Sequence, residues 1–245
     1  MFVDVKSFLE CNSWRRVVFC LFADAIALAF ADNFILGRVS PITQLTTTQP
    51  ASQLTLGDTI RYLEWEFLTQ FKSSNIILLR PSMSFLLLQT PDPLSLREAL
   101  PDFTRATHVF LPVNDCRNVT EAEGGTHWSL LLISVVDRIA FHYDSLPPGN
   151  QWEAYTATCK FGSLLNQQIR FINLQDSPVQ ENGSDCGVFV CLHMRHLLLK
   201  RLLMAKATEK VSMSLAGRKI DARAGRKEIS RIIEGFRKEG ERRRS

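Results

Sequence analysis

Cys186 stands in the stretch Asn182-Gly183-Ser184-Asp185-Cys186-Gly187, a turn-forming run that leads straight into the apolar segment Cys186 to Leu203. This layout puts a sulfur at the start of a buried helix, where unpaired backbone N–H groups and the helix dipole favour a thiolate. Only the thiolate is a strong nucleophile, and a free thiol has a pKa of about 8.5, so the setting points to covalent attack on a carbonyl. The glycines at 183 and 187 let a substrate backbone come close. Asp185 is placed to cap the helix, although its charge opposes a thiolate next door. A cysteine without such surroundings is a small buried hydrophobe, and Cys191, inside the apolar run, is read that way.

A thiolate needs a base, and the chain has five histidines: His108, His127, His142, His193 and His196. His193 and His196 fall on the helix after Cys186 and read as structural or solvent-facing. His127 follows Gly124-Gly125 and opens a long apolar strand, the kind of element end where functional side chains sit. A base works best when a third group fixes its tautomer. Asp144, 17 residues after His127, closes the next strand, and a hairpin would bring the two to the same end of a sheet. Gln180, six residues before Cys186, is a candidate side-chain donor to an oxyanion, beside the N–H of Cys186.

These side chains require a particular scaffold. His127 to Val136 and Arg138 to Asp144 read as two strands joined at Asp137-Arg138. Thr107 to Val113 reads as a strand whose Pro112 marks an edge or an end, and Ile169 to Leu174 as another. Leu56 to Phe71 has a helical stripe of Ile60, Leu63, Phe67 and Phe71, widened by Trp65 and Leu68. Ile76 to Leu79 and Phe85 to Leu88 are apolar but ambiguous in type. Leu94 to Leu100 and Trp152 to Leu165 are candidate helices. Near the C-terminus, Ile229, Ile232, Ile233 and Phe236 define one apolar face of a charged helix.

Composition sets the outer bounds. The 245 residues are 45% hydrophobic, enough for one sizeable core with appended segments. The net charge is +4, but residues 206–245 hold 13 Lys and Arg against 6 Asp and Glu, a net of +7 that leaves −3 for the rest. Six cysteines without a C-x-x-C or zinc spacing suit a reducing compartment and no metal. Arg15-Arg16 and the 15-residue apolar run Val17 to Ala31 have the outline of a signal peptide. Asp24 inside the run argues against it, as does the sequon Asn182-Gly183-Ser184, where a glycan would block Cys186. Ile42 to Ser52, rich in Thr, Gln, Ser and Pro, reads as a linker.

Three motifs in order, Gly124-Gly125-Thr126-His127-Trp128-Ser129-Leu130-Leu131, Phe141-His142-Tyr143-Asp144-Ser145 and Gln180-Glu181-Asn182-Gly183-Ser184-Asp185-Cys186-Gly187-Val188-Phe189, resemble the Ulp/sentrin-specific cysteine proteases over about Leu54 to Leu203. The resemblance implies an α+β fold of the papain-like superfamily, a central mixed sheet flanked by helices. It implies Cys186 as nucleophile, His127 as base, Asp144 as its orienting acid and Gln180 as oxyanion donor. Trp128 would help form a narrow channel for the Gly-Gly tail of a ubiquitin-like modifier, and Gly187, the glycine after Cys186, is the other expected substrate-binding residue. The first motif looks most like the deneddylases, which act on the NEDD/Rub modifier; the SUMO-specific branch shares Asn182 to Cys186. The family's Trp-Leu-Asn-Asp, whose Trp lids the channel, corresponds here to Thr55-Leu56-Gly57-Asp58. That departure keeps a modifier-binding pseudoprotease in view.

The expected organisation is an N-terminal extension at 1–50, the protease domain at 51–205 and a basic tail with an amphipathic helix at 206–245. Expected partners are the modifier and its conjugates, such as cullins, in cytoplasm and nucleus, with no cofactor, metal or membrane. The tail is expected to dock its apolar stripe and leave Arg242, Arg243 and Arg244 to steer acidic partners, a reading favoured over nucleic-acid binding.

Overall fold

The computed structural model describes residues 53–118, 124–204 and 211–242. The expectations for the N-terminal extension, its signal-like run, the linker, and Arg243 and Arg244 lie outside the described residues. A five-stranded sheet runs in the order β1 (Ile76–Leu78), β2 (His108–Asn114), β3 (Trp128–Ser134), β4 (Ile139–Tyr143), β5 (Arg170–Asn173). Its two outer pairs are parallel and its inner pairs antiparallel. The fold is therefore α+β with a mixed sheet.

Strand alternation sorts the core into two faces. Phe110, Leu130, Leu132 and Tyr143 point to one side, with α1 (Gln53–Glu66), α4 (Cys186–His196) and α5 (Ala222–Arg242). Val109, Leu111, Leu131, Ile133 and Ala140 point to the other, with α2 (Pro81–Gln89) and α3 (Gln151–Leu165). Both faces of β2 and β3 are buried, so these strands read as continuous apolar runs rather than as alternating ones.

Three sequence expectations change. The stripe from Leu56 to Phe71 is only partly helical: α1 stops at Glu66, and two 3₁₀ turns, Leu68–Gln70 and Lys72–Ser74, lead to Asn75 in the left-handed region. Leu56, Ile60 and Leu63 are buried; Trp65, still within α1, lies off that stripe and is exposed, and Phe71 is exposed because the 3.6-residue period ends with the helix before it. Leu94 to Leu100 forms only the 3₁₀ turn Pro93–Leu96. β2 is an inner strand despite Pro112. The Phe110 carbonyl accepts from Leu79 on the β1 side, so position 112 faces that side too, two residues beyond the last residue of β2 paired with β1. The missing N–H costs no ladder bond there.

The segment after 206, set apart in sequence by its charge, supplies Leu215 and Ile229 to the same core as α1 and α4. Helix α5 lies close on α4 because Gly225 has no side chain: a Cβ there would sit 2.8 Å from Leu192 Cδ1 and 3.0 Å from Val188 Cγ1. Ile232, Ile233 and Phe236 are half-buried along the same stripe. Truncating Ile229 to Ala should cost about 2–4 kcal/mol, read as a lower urea midpoint at unchanged m-value. A midpoint equal to the parent's would mean that α5 contributes no packing.

Candidate active site

His127 immediately precedes β3, and Asp144 immediately follows β4. The hairpin register pairs Leu130 with Tyr143, so Ser129 faces Asp144 and His127 is its diagonal neighbour on the same face. His127 Nε2 lies 2.6 Å from Asp144 Oδ1, and both residues are buried. Both oxygens of Asp144 are further engaged, Oδ1 by the N–H of Leu146 at 2.9 Å and Oδ2 by that of Asn150 at 3.0 Å. Burial alone would push this carboxyl up; the hydrogen bonds from His127 and Leu146 and the charge of His127 outweigh it and hold Asp144 below its ordinary pKa.

The backbone of His127 is tied down from three sides. Its N–H donates to Asp115 Oδ1 at 3.0 Å, and its carbonyl accepts from Asn114 Nδ2 and Asn150 Nδ2, each at 3.1 Å. Asp115 also accepts from the N–H and hydroxyl of Thr126, each at 2.6 Å. Gly125 makes this possible. It has φ +86°, and a Cβ on it would fall 2.2 Å from Asn114 Oδ1.

Cys186 is the first residue of α4 and is buried. With Nε2 of His127 taken by Asp144, Nδ1 is the ring nitrogen left to interact with the Cys186 thiol. The N–H groups of Trp128 and Gly187 also point at that sulfur. Burial pushes the thiol up, but the hydrogen bond and charge of His127 and these two N–H groups win, and the thiol lies below its ordinary range. Burial would likewise depress His127; the hydrogen bonds and charges of Asp144 and Cys186 instead raise it to about 9. The two shifts are complementary, each favouring the charged form of its group.

Gln180 is buried beside the turn. Its Oε1 accepts from the Ser145 hydroxyl at 2.7 Å, its own N–H donates to the Ser145 carbonyl at 2.8 Å, and its Nε2 donates to the Asn182 carbonyl. A carboxamide nitrogen has two hydrogens. One remains to join the Cys186 N–H, which as the first helical position has no helical acceptor. Trp128 is half-buried and Gly187 is buried.

Asp185 occupies the N-cap position without capping. Its carboxylate instead accepts from Asn182 Nδ2 at 2.7 Å and from Arg226. Among the other histidines, His142 is buried between Asn173 and Ser129 at 2.9 Å each, and burial lowers its pKa. His193 is enclosed between Tyr143 and Phe189, with burial holding it at about 3. His196 faces Arg218 at 2.6 Å.

Sequence reasoning missed Asn114, Asp115, Asn150 and Gly149. A Cβ at Gly149 would lie 2.5 Å from Asp144 Oδ2 and 2.8 Å from His127 Nε2. The signal was a glycine directly after Pro147-Pro148, in the loop that leaves the Asp144 strand. Among the described residues no group of His, Cys, Asp and Glu could hold a metal ion.

A buried thiol–imidazole–carboxylate line at a helix start, on a mixed sheet between helices, defines a cysteine-peptidase architecture. Residues 94–212 match the Ulp1 protease family, C-terminal catalytic domain. NEDD8-specific protease 2 of Schizosaccharomyces pombe is 39% identical over 66% of this chain and 39% of its own length. NEDD8-specific protease 1 of Arabidopsis thaliana is 37% identical over 50% of this chain and 55% of its own. The chain thus spans well under two thirds of these curated relatives. The Xanthomonas campestris effector XopD, in its structure bound to ubiquitin, shares the fold at 18% identity and TM-score 0.54, covering 80% of this chain and 98% of that one. Over the segment 94–212, just under half of its length, the chain is similar to the Ulp1 protease family of cysteine peptidases.

Two substitutions test the geometry. Gly149→Ala should push the His127–Asp144 pair apart and raise the pH at which Cys186 becomes alkylated by about one unit, read by peptide-resolved mass spectrometry with iodoacetamide. An unmoved profile would show that the loop tolerates a methyl group. Asp144→Asn removes a cause of the raised His127 pKa, so the imidazolium should lose its proton at a pH below about 9. The His127 ring resonances, followed by NMR titration, would report that fall. A midpoint that stays put would remove Asp144 from this role.

Proposed function

We propose that the chain is a thiol isopeptidase that cuts after the C-terminal Gly-Gly of a ubiquitin-like modifier, the NEDD/Rub modifier before others. Its targets would be modifier precursors and conjugates such as cullins, in cytoplasm and nucleus. One observation carries the reading: the imidazole of His127 stands between Asp144 and the helix-start thiol of Cys186. In this reading the thiolate attacks the terminal glycine carbonyl, and the N–H of Cys186 with the second N–H of Gln180 receives the oxyanion. His127 gives its proton to the leaving lysine amine, which leaves a thioester on Cys186. Neutral His127 then takes a proton from water, the hydroxide adds to the thioester, and the free modifier and thiolate depart. Asp144 keeps the ring oriented through both steps.

The choice of modifier rests on the NEDD8-specific names of the fission-yeast and Arabidopsis relatives and on the run Gly124 to Leu131. A second reading, a module that holds a modifier without cutting, is favoured by Thr55. It stands in the first turn of α1, where the family has its lid tryptophan, and the exposed Trp65 and Trp152 lie elsewhere.

NEDD8, SUMO and ubiquitin, each ending in a C-terminal electrophile, separate these readings. The protease reading expects an adduct on Cys186, fastest with NEDD8, and none on Cys186→Ala. Reporter fusions should be cleaved with a kcat/KM at least about tenfold higher for NEDD8 than for SUMO, a difference of about 1.4 kcal/mol. Cys186→Ala should lower kcat by about 10⁴-fold or more while binding persists. Binding without adduct in the parent protein would favour the module, and a SUMO preference would move the chain to the other branch.

A further inference from the structure

Arg226 lies on α5, beyond the family-matched segment 94–212, yet its guanidinium reaches the turn that carries the nucleophile. Its Nε donates to Asp185 Oδ1 at 2.7 Å, and its Nη2 donates to the same carboxylate. Nη2 also meets the Ser184 carbonyl at 3.0 Å and the Ser184 hydroxyl at 3.3 Å. Asp185 is buried, and Arg226 is half-buried. Three polar groups of the two residues before Cys186 are therefore held by one side chain from the far end of the chain. The placement of α5 is not loose, since Gly225, the preceding residue, sits against Leu192 and Val188 of α4, and Ile229 enters the core.

We propose that Arg226 is a positioning residue of this active site, neutralising the Asp185 carboxylate beside the nucleophile and clamping the Asn182–Cys186 turn so that its N–H groups face the attacked carbonyl. The inference rests on the protease reading for its purpose, although not for its test. A buried carboxylate one residue from a thiolate opposes it, and a guanidinium in contact with that carboxylate cancels the opposition. The charged and titratable groups that bear on Cys186 come from each element around it. His127 and Asp144 come from the β3–β4 hairpin, Glu181 and Asp185 from the turn itself, and Arg226 from α5. Asp58 on α1 faces Arg61 and Arg80, and Arg195 on α4 pairs with Glu228 on α5 at 2.7 Å. Among these, Arg226 is the cation in contact with the residue preceding the nucleophile.

The test is the pH profile of Cys186 alkylation by iodoacetamide, which needs no modifier, followed on the peptide that carries Cys186 in the full chain. Arg226→Ala should move the midpoint up by about one pH unit, whereas Arg226→Lys, which keeps the charge, should move it by less than half of that. Asp185→Asn alone should move the midpoint down, since it removes the negative charge next to the thiolate and keeps the guanidinium; this variant reads out even if Arg226→Ala does not fold. Asp185→Asn combined with Arg226→Ala should return the midpoint to that of the parent. A purely structural arginine would lower Tm without this pattern. An unmoved profile in both single variants, or a double variant displaced as far as Arg226→Ala, overturns the proposal. If these shifts occur in a chain that forms no adduct with any modifier probe, the proposal stands and the protease reading falls.

Discussion

The diagonal contact of His127 with Asp144 depends on the register of one hairpin. Side chains alternate along a strand, so a slip of one residue between β3 and β4 would send one partner to the opposite face of the sheet. Leu130, Leu131, Leu132 and Ile133 prevent the slip, because both faces of β3 are filled by completely buried side chains and neither core accepts an exchange. The loops beyond the strand ends then fix the last ångström. Asn114 and Asn150 hold the His127 carbonyl, Asp115 holds its N–H, and Gly149 leaves room for the pair to meet. Ordinary packing thus sets the geometry coarsely, and a set of short hydrogen bonds sets it finely.

Charge is arranged with the same economy. The site buries a thiol, an imidazole and two carboxylates within a few residues of each other. Burial pushes Asp144 toward its neutral form, as it does Cys186, and in each case named donors reverse the direction. The carboxylate with the least obvious purpose, Asp185, is the one met by the basic C-terminal segment. The uneven charge of the sequence therefore has a local counterpart near Cys186, not only a general one on the surface.

Much of this was legible from residue types and order. Cys186 in a glycine-flanked turn before an apolar run, and His127 and Asp144 17 residues apart at the ends of two strands, sufficed to predict that the His127 and Asp144 side chains meet and that Cys186 starts a helix. What stayed hidden has a common physical reason. Asp115, Asn150 and Gly149 act through backbone atoms or through empty space, and neither leaves a residue-type signature at a fixed spacing. Arg226 lies 40 residues beyond Cys186, and its reach depends on how closely Gly225 lets α5 approach. Asp185 read as a cap because Asp commonly caps; Asn182 and Arg226 compete for its carboxylate and win. The helical reading of Phe71 failed because periodicity does not announce where a helix stops.

The two faces of the sheet give the site one more property. His127 and Asp144 project toward the face built with α3, whereas Cys186 begins a helix packed on the opposite face. Their meeting point is the end of the sheet at which β3 begins and β4 stops. The sulfur-to-imidazole spacing is thus a ruler laid across the thickness of the domain. Thermal expansion or loosening of either layer lengthens it while every strand pair stays intact. On warming, the reactivity of Cys186 would fade before the fold melts, its loss running ahead of any change in far-ultraviolet dichroism.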